Sequence, residues 1–301
     1  METNPAGLGN VFDVPLELRA NDITRHIINI DSRFRTNPRV SSTTNFYYRL
    51  QAPVKNILRI RVTSVEFPTG YFFFTVDRKN VTLRFIYDKA APKTFVIMIP
   101  DGNYTADQMT VAITDALAAL PVNPIDAAVA YDPDTKTYTF TANQYFALDT
   151  TYESYRRYSD YGLGFYLGFP LKANLAVVSP TDPNSWSVSS SFCANFTGDS
   201  YVFLKVNEFD CVSQQTEDQA FTALAKIVLG SPCCGDRDDH SREVVFTSPL
   251  DLTRFKIQIL DAYGNLLDLC GANVSFSLEV LEVKNLTLYN TIRDSLSLRY
   301  V

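Results

Sequence analysis

Apolar residues in this chain recur at every second position, stretch after stretch, and that alternation limits the fold more than any other feature. Phe255, Ile257 and Ile259 alternate with polar residues, as do Phe276, Leu278 and Val280 beyond a turn at 261–265. Val81, Leu83, Phe85 and Tyr87 alternate with Thr82 and Arg84, and Phe95, Ile97 and Ile99 form another set. Successive strand side chains point to opposite faces, so each run describes a strand with one face buried. A run at 46–50 leads to a longer one, where Leu58, Ile60 and Val62 alternate with Arg59, Arg61 and Thr63. The phase then flips, because Val65 and Phe67 take the parity of Arg61; a bulge near Thr63 and Ser64 accounts for it. Residues 131–138 read as a hairpin around Asp132, Pro133 and Asp134. Further strands are expected at 201–209, 223–229, 243–247, 254–261 and 273–283. Ten to twelve strands with turns between them predict an all-β sandwich or barrel. The 21 Phe and 17 Tyr, against one Trp, agree with that class.

One segment departs from the pattern. Thr105 with Gln108 three residues on forms a capping box, and Met109, Ile113, Leu117 and Leu120 follow at helical spacing before Pro121. The spacing predicts one short α-helix at about 104–120. No linker divides the chain. Residues 1–22, rich in Gly, Pro and Asn, read as an extended N-terminal arm, followed by a single domain over 23–301 with an inserted region at about 143–200.

The charge and the scarce histidines narrow the function. A net charge of −6 disfavours a global grip on nucleic acid or anionic lipid. The N-terminal residues lack the basic and apolar regions of a secretion signal, and no apolar run approaches the roughly 20 residues that span a bilayer. Five cysteines do not read as a disulfide scaffold. His26 opens a strand. His240 follows Cys233, Cys234, Asp236, Asp238 and Asp239, but adjacent cysteines lack structural-zinc spacing and the calcium-loop pattern is absent. The glycines 162, 164 and 168 have the wrong spacing for a phosphate loop. No catalytic residue, cofactor or metal site is expected, and an enzyme is the minority reading.

Two segments suit contact. Between residues 19 and 39, Arg19, Arg25, Arg33, Arg35 and Arg39 stand against Asp22 and Asp31, five charges less two for a local +3. Guanidinium forks pair well with carboxylates of an acidic neighbour; the alternative is a solvated loop with internal salt bridges. Between 152 and 169, Tyr155, Arg156, Arg157 and Tyr158 lie among further tyrosines. Tyr and Arg are enriched at interface hot spots, although the same residues could roof the core.

Several stretches, taken in order, resemble one family. They are INIDSR at 28–33, NF at 45–46 through LQAPVKNI at 50–57, VEFP at 65–68 and GNYT at 102–105. LKVNEF at 204–209, AKIVL at 225–229, LDAYGN at 260–265 and NVSFSLE at 273–279 complete the series. This order resembles the penton (vertex) capsid proteins of the nucleocytoplasmic large DNA viruses and related minor capsid proteins, over residues 25–282. The resemblance implies a single jelly-roll β-sandwich, five copies of which close each vertex of an icosahedral shell. It implies a homopentamer in the virion, assembled in the host cytoplasm, with neighbouring major and minor capsid proteins as partners and no direct contact with nucleic acid. The alternatives are a minor or cement capsid protein of the same viruses and, from another class, a β-sandwich carbohydrate-binding module or hydrolase.

Overall fold

The alternating runs become antiparallel ladders. The structure, a computed structural model, describes residues 22–68, 70–150, 162–178, 184–215, 220–229 and 242–297. Along the chain, β1 (Ile23–Asp31) passes through a 3-10 turn (Ser32–Phe34) to β2 (Asn45–Glu66). Next come β3 (Thr82–Tyr87), β4 (Lys93–Met98), α1 (Ala106–Ala118), β5 (Ala128–Asp132), β6 (Thr137–Ala142) and β7 (Phe146–Asp149). The short α2 (Gly162–Tyr166) precedes β8 (Ala173–Leu175), β9 (Val177–Val178) and β10 (Trp186–Ser189). Then follow β11 (Tyr201–Val206), β12 (Val212–Gln215), β13 (Ala220–Ala223), β14 (Ala225–Val228), β15 (Glu243–Leu260), β16 (Ser275–Val283) and α3 (Leu286–Ser297). The class is all-β with few helices, as the alternation predicts; α2 and α3 are additions to the single helix expected.

The chain divides into two compact units, one built from residues up to Gly70 and from Asp199 onward, the other from Tyr71–Gly198. Residues 143–198 of the expected inserted region fall within the second unit.

The first unit holds a six-stranded antiparallel sheet in the order β1-β16-β2-β15-β11-β14, with the pair β12-β13 beside it in sequence. The core face is set by register. Ile30 lies opposite Phe276 and Ile28 opposite Leu278, while Val280 faces Ile60 and Ile257 faces Phe46. The expected bulge is present. Phe276 and Leu278, two apart, pair with Val65 and Val62, three apart, so Thr63 is the extra residue. Its hydroxyl donates to the Ser277 carbonyl at 3.2 Å. The runs expected separately at 46–50 and 58–67 are one 22-residue strand, and those at 243–247 and 254–261 are one 18-residue strand. Pro53 and Pro249 fall where the β2–β15 ladder shifts register, so neither has to supply an N–H to it.

The second unit is a sandwich of two four-stranded antiparallel sheets, β4-β3-β7-β8 and β5-β6-β10-β9. Leu83, Phe85, Phe146 and Leu148 from one sheet share a buried core with Tyr138, Phe140 and Ala142 from the other. The Phe85 and Phe140 rings meet edge to face at 5.7 Å. Helix α1 inserts Met109, Ile113 and Leu117 into this core. Its capping box is complete: the Thr105 hydroxyl accepts from the Gln108 N–H at 3.3 Å, and Gln108 Oε1 accepts from the Thr105 N–H at 2.9 Å. The hairpin joins β5 to β6, with Asp132 Oδ1 accepting from the Asp134 N–H at 2.9 Å.

Candidate subunit-contact surfaces

The arginine-rich segment runs along β1 and on into the turn that follows it. Asp31, 3% exposed, caps the 3-10 turn by accepting from the Arg33 N–H at 2.8 Å and from Arg33 Nε at 2.8 and 3.0 Å. Those Arg33 hydrogen bonds hold the Asp31 carboxyl below the usual carboxylate range. Ser32 pins the turn to the segment before β16, donating its N–H to the Val274 carbonyl at 2.9 Å and accepting the Val274 N–H at 3.0 Å. Arg35 spends its guanidinium on the loop itself, donating to the Ser32, Pro38 and Ser41 carbonyls at 2.8, 3.2 and 3.2 Å. That clamp fixes residues 32–41 and presents Phe34, 70% exposed, and Val40, 85% exposed. Arg33 lies 5.9 Å from the Phe34 ring centroid. Arg39 is exposed and makes no hydrogen bond or ion pair among the described residues.

Arg25 reaches back over the sheet to Glu279 at 3.2 Å. The structure therefore gives Arg25, Arg33 and Arg35 partners within the chain and leaves Arg39 open. Arg19, Tyr155, Arg156, Arg157 and Tyr158 lie outside the described residues, as does the Cys233 to His240 cluster.

Glu279 was not singled out by its sequence context, yet it organises the polar face of the six-stranded sheet. Its side chain is 3% exposed and meets Arg59 at 3.1 Å and Arg61 at 3.7 Å as well as Arg25. Arg59 also approaches Glu243 at 3.6 Å, and His26 lies 2.6 Å from Glu282. Register explains the cluster, because Glu279 pairs with Arg61, and Arg61 with Glu243 on the far side of β2. A carboxylate this buried needs several cationic donors to offset its lost hydration. The only sequence signal was that Arg59, Arg61 and Glu279 occupy the polar positions of alternating strands.

A second unforeseen feature lies in the sandwich unit. Val111, Ala112 and Ala116 of α1, with Ala119 just past its end, join Met98, Pro100 and Tyr104 to line an apolar groove of about 570 Å³. Its polar lining is Gln108 and two carboxylates, Asp107 and Asp115, with no basic side chain. The Tyr104 hydroxyl donates to the Pro100 carbonyl, closing one end of the lining. Burial, and then the nearby Asp101, push the Tyr104 phenol up from its ordinary value. The sequence signal was the apolar run at 111, 112, 116 and 119, offset from the core stripe of the same helix.

The described part of the tyrosine-rich region belongs to the core. Tyr166 packs edge to face on Phe73 and Phe74 at 5.0 and 5.7 Å, beside Leu163, Leu167 and Phe169. Its glycines serve packing. A Cβ on Gly164 would come within 2.4 Å of the Thr150 side chain, and one on Gly168, at φ +89°, within 2.1 Å of the Phe192 carbonyl oxygen. Among the described residues no cluster of His, Cys, Asp and Glu could hold a metal ion, and no helix is long and apolar enough to cross a membrane.

No protein-family profile and no curated protein matches this sequence. Among solved structures the chain is similar to the mavirus penton protein, at 7% identity and a TM-score of 0.34, covering 85% of this chain and 99% of that one. It is also similar to a chain of the VP16–VP17 complex of the two major capsid proteins of bacteriophage P23-77. There the identity is 8% and the TM-score 0.18, over 86% of this chain and 99% of that one. VP17 alone, a capsid protein of the same phage, gives 10% identity and a TM-score of 0.17, over 87% and 98%.

Proposed function

We propose that this chain is a structural capsid protein, the penton that closes the five-fold vertices of an icosahedral large DNA virus. It acts by assembly and needs no cofactor. One observation carries the reading. The stretches that resemble the penton family are scattered between residues 28 and 279, yet all except GNYT at 102–105 fall on or beside the strands of a single sheet. INIDSR ends β1, and NF through LQAPVKNI and then VEFP lie along β2. LKVNEF ends β11, AKIVL covers β14, LDAYGN closes β15 and NVSFSLE opens β16. Every strand of the six-stranded sheet is represented. Motifs matched by chance would have no reason to collect on one sheet.

In this role the chain meets further copies of itself through two different patches, a heterologous arrangement that closes into a ring. Its other partners are neighbouring major and minor capsid proteins of the virion. The test is the native mass of the purified chain, alone and mixed with those proteins. The expected result is a particle of five times the 33.9 kDa chain mass. A monomer at every concentration, in both settings, rejects the penton and leaves the cement-type role.

A further inference from the structure

Two exposed features of this chain complement one another in apolar character and charge. The first is the loop 33–40, clamped by Arg35, which displays Phe34 and Val40 to solvent beside Arg33 and Arg39 and carries no acidic residue. The second is the groove along α1, whose apolar lining includes Met98 and Val111, 59% and 58% exposed. At about 570 Å³ it falls in the size range of sites that enclose whole side chains or small ligands. Its two carboxylates, Asp107 and Asp115, have no ion-pair partner among the described residues. The alanines at 112, 116 and 119 leave the helix surface low, so a visiting side chain can approach closely.

We propose that the loop 33–40 of one copy seats in the α1 groove of the next copy. Phe34 and Val40 fill the apolar lining, and Arg39 meets Asp107 and Asp115. The inference deepens the penton reading and rests on it, since it names the two patches through which the ring forms. A single occupant satisfies both needs of the groove, apolar bulk and positive charge, and the loop offers both on a rigid frame. The contact joins unlike surfaces, so each copy that gives its loop still presents its groove, and the series continues until the ring closes. A small metabolite is the weaker occupant, because such sites usually carry several convergent polar groups, whereas this lining offers one amide, a Tyr104 phenol already bonded to the Pro100 carbonyl, and two like charges.

The test uses the full chain, with sedimentation velocity as the readout and far-UV circular dichroism as the check on folding. Arg39→Glu and Asp115→Arg alter exposed side chains and leave the fold intact. Each alone places like charges across the contact and weakens assembly by about tenfold or more, as like-charge juxtaposition at interfaces does. The double variant Arg39→Glu/Asp115→Arg restores the opposite pair and returns assembly toward the wild-type level. Single variants that assemble as well as wild type overturn the proposal. So does a folded double variant that stays dissociated, and so does an effect confined to Asp115→Arg, which would give the groove a different occupant. If wild type assembles but the charges do not matter, only this contact fails. If wild type never assembles, the penton reading fails with it.

Discussion

Tyr138 has no exposed surface, and its hydroxyl donates to the Ala106 carbonyl at 2.7 Å, tying a strand of the sandwich unit to the first turn of α1. Burial first, then the nearby Tyr131 and Asp107, push its phenol far above the ordinary value of 10.0, against a smaller lowering by Thr110. Below pH 10 the folded and unfolded chains both keep this proton, so the group is neutral in the balance. Above it the unfolded chain ionises first, and stability falls as pH rises. Tyr138→Phe is therefore expected to flatten the alkaline limb of a denaturation series while costing about 1 kcal/mol at neutral pH for the lost hydrogen bond. An unchanged alkaline limb would contradict this assignment. At this scale the sequence was partly legible. Tyr138 and Phe140 share a parity that marks a buried strand face, but nothing local shows that the hydroxyl meets a helix over thirty residues away. Glu279 was hidden for the same reason: its arginines come from β1 and β2, and only register brings them together.

Elements were more legible wherever period or capping chemistry is local. Thr105 and Gln108 mark the start of α1, and the core stripe Met109, Ile113 and Leu117 gives its buried face. Thr105→Ala removes one half of the box and is expected to destabilise the sandwich unit by about 1 kcal/mol. Thr105→Ser should retain most of that, and calorimetry on the two variants separates them. The phase flip after Val62 pointed to a bulge near Thr63 and Ser64, because an inserted residue reverses facing without ending a strand, and register assigns it to Thr63. Strand length was not legible. The pattern breaks between 50 and 58 and between 247 and 254, yet β2 and β15 run through those breaks, and Pro53 and Pro249 sit where the ladder between the two strands is already out of register. The groove on α1 was also missed, because an apolar helix face reads as core until the packing shows which stripe is used.

Across the whole molecule, charge matters by position more than by sum. The total of −6 disfavours a nucleic-acid grip, and the arginine-rich stretch stood out against it. In the structure most of its described arginines are internal: Arg25 serves Glu279, Arg33 serves Asp31 and Arg35 clamps a loop. Arg39, beside the exposed Val40, is left to meet another surface. The division into two units had no linker signature, because the chain leaves the first unit at Gly70 and returns at Asp199 through ordinary turn residues. What the sequence did carry at this scale is the order of the stretches that resemble the penton family, all but GNYT of which lie on or beside one sheet. The central claim is that this sheet belongs to a vertex protein. An image of the intact particle, with this chain marked by a bound antibody fragment, tests it most directly. The account predicts five copies around each five-fold axis; label on other parts of the shell, with bare vertices, would contradict it.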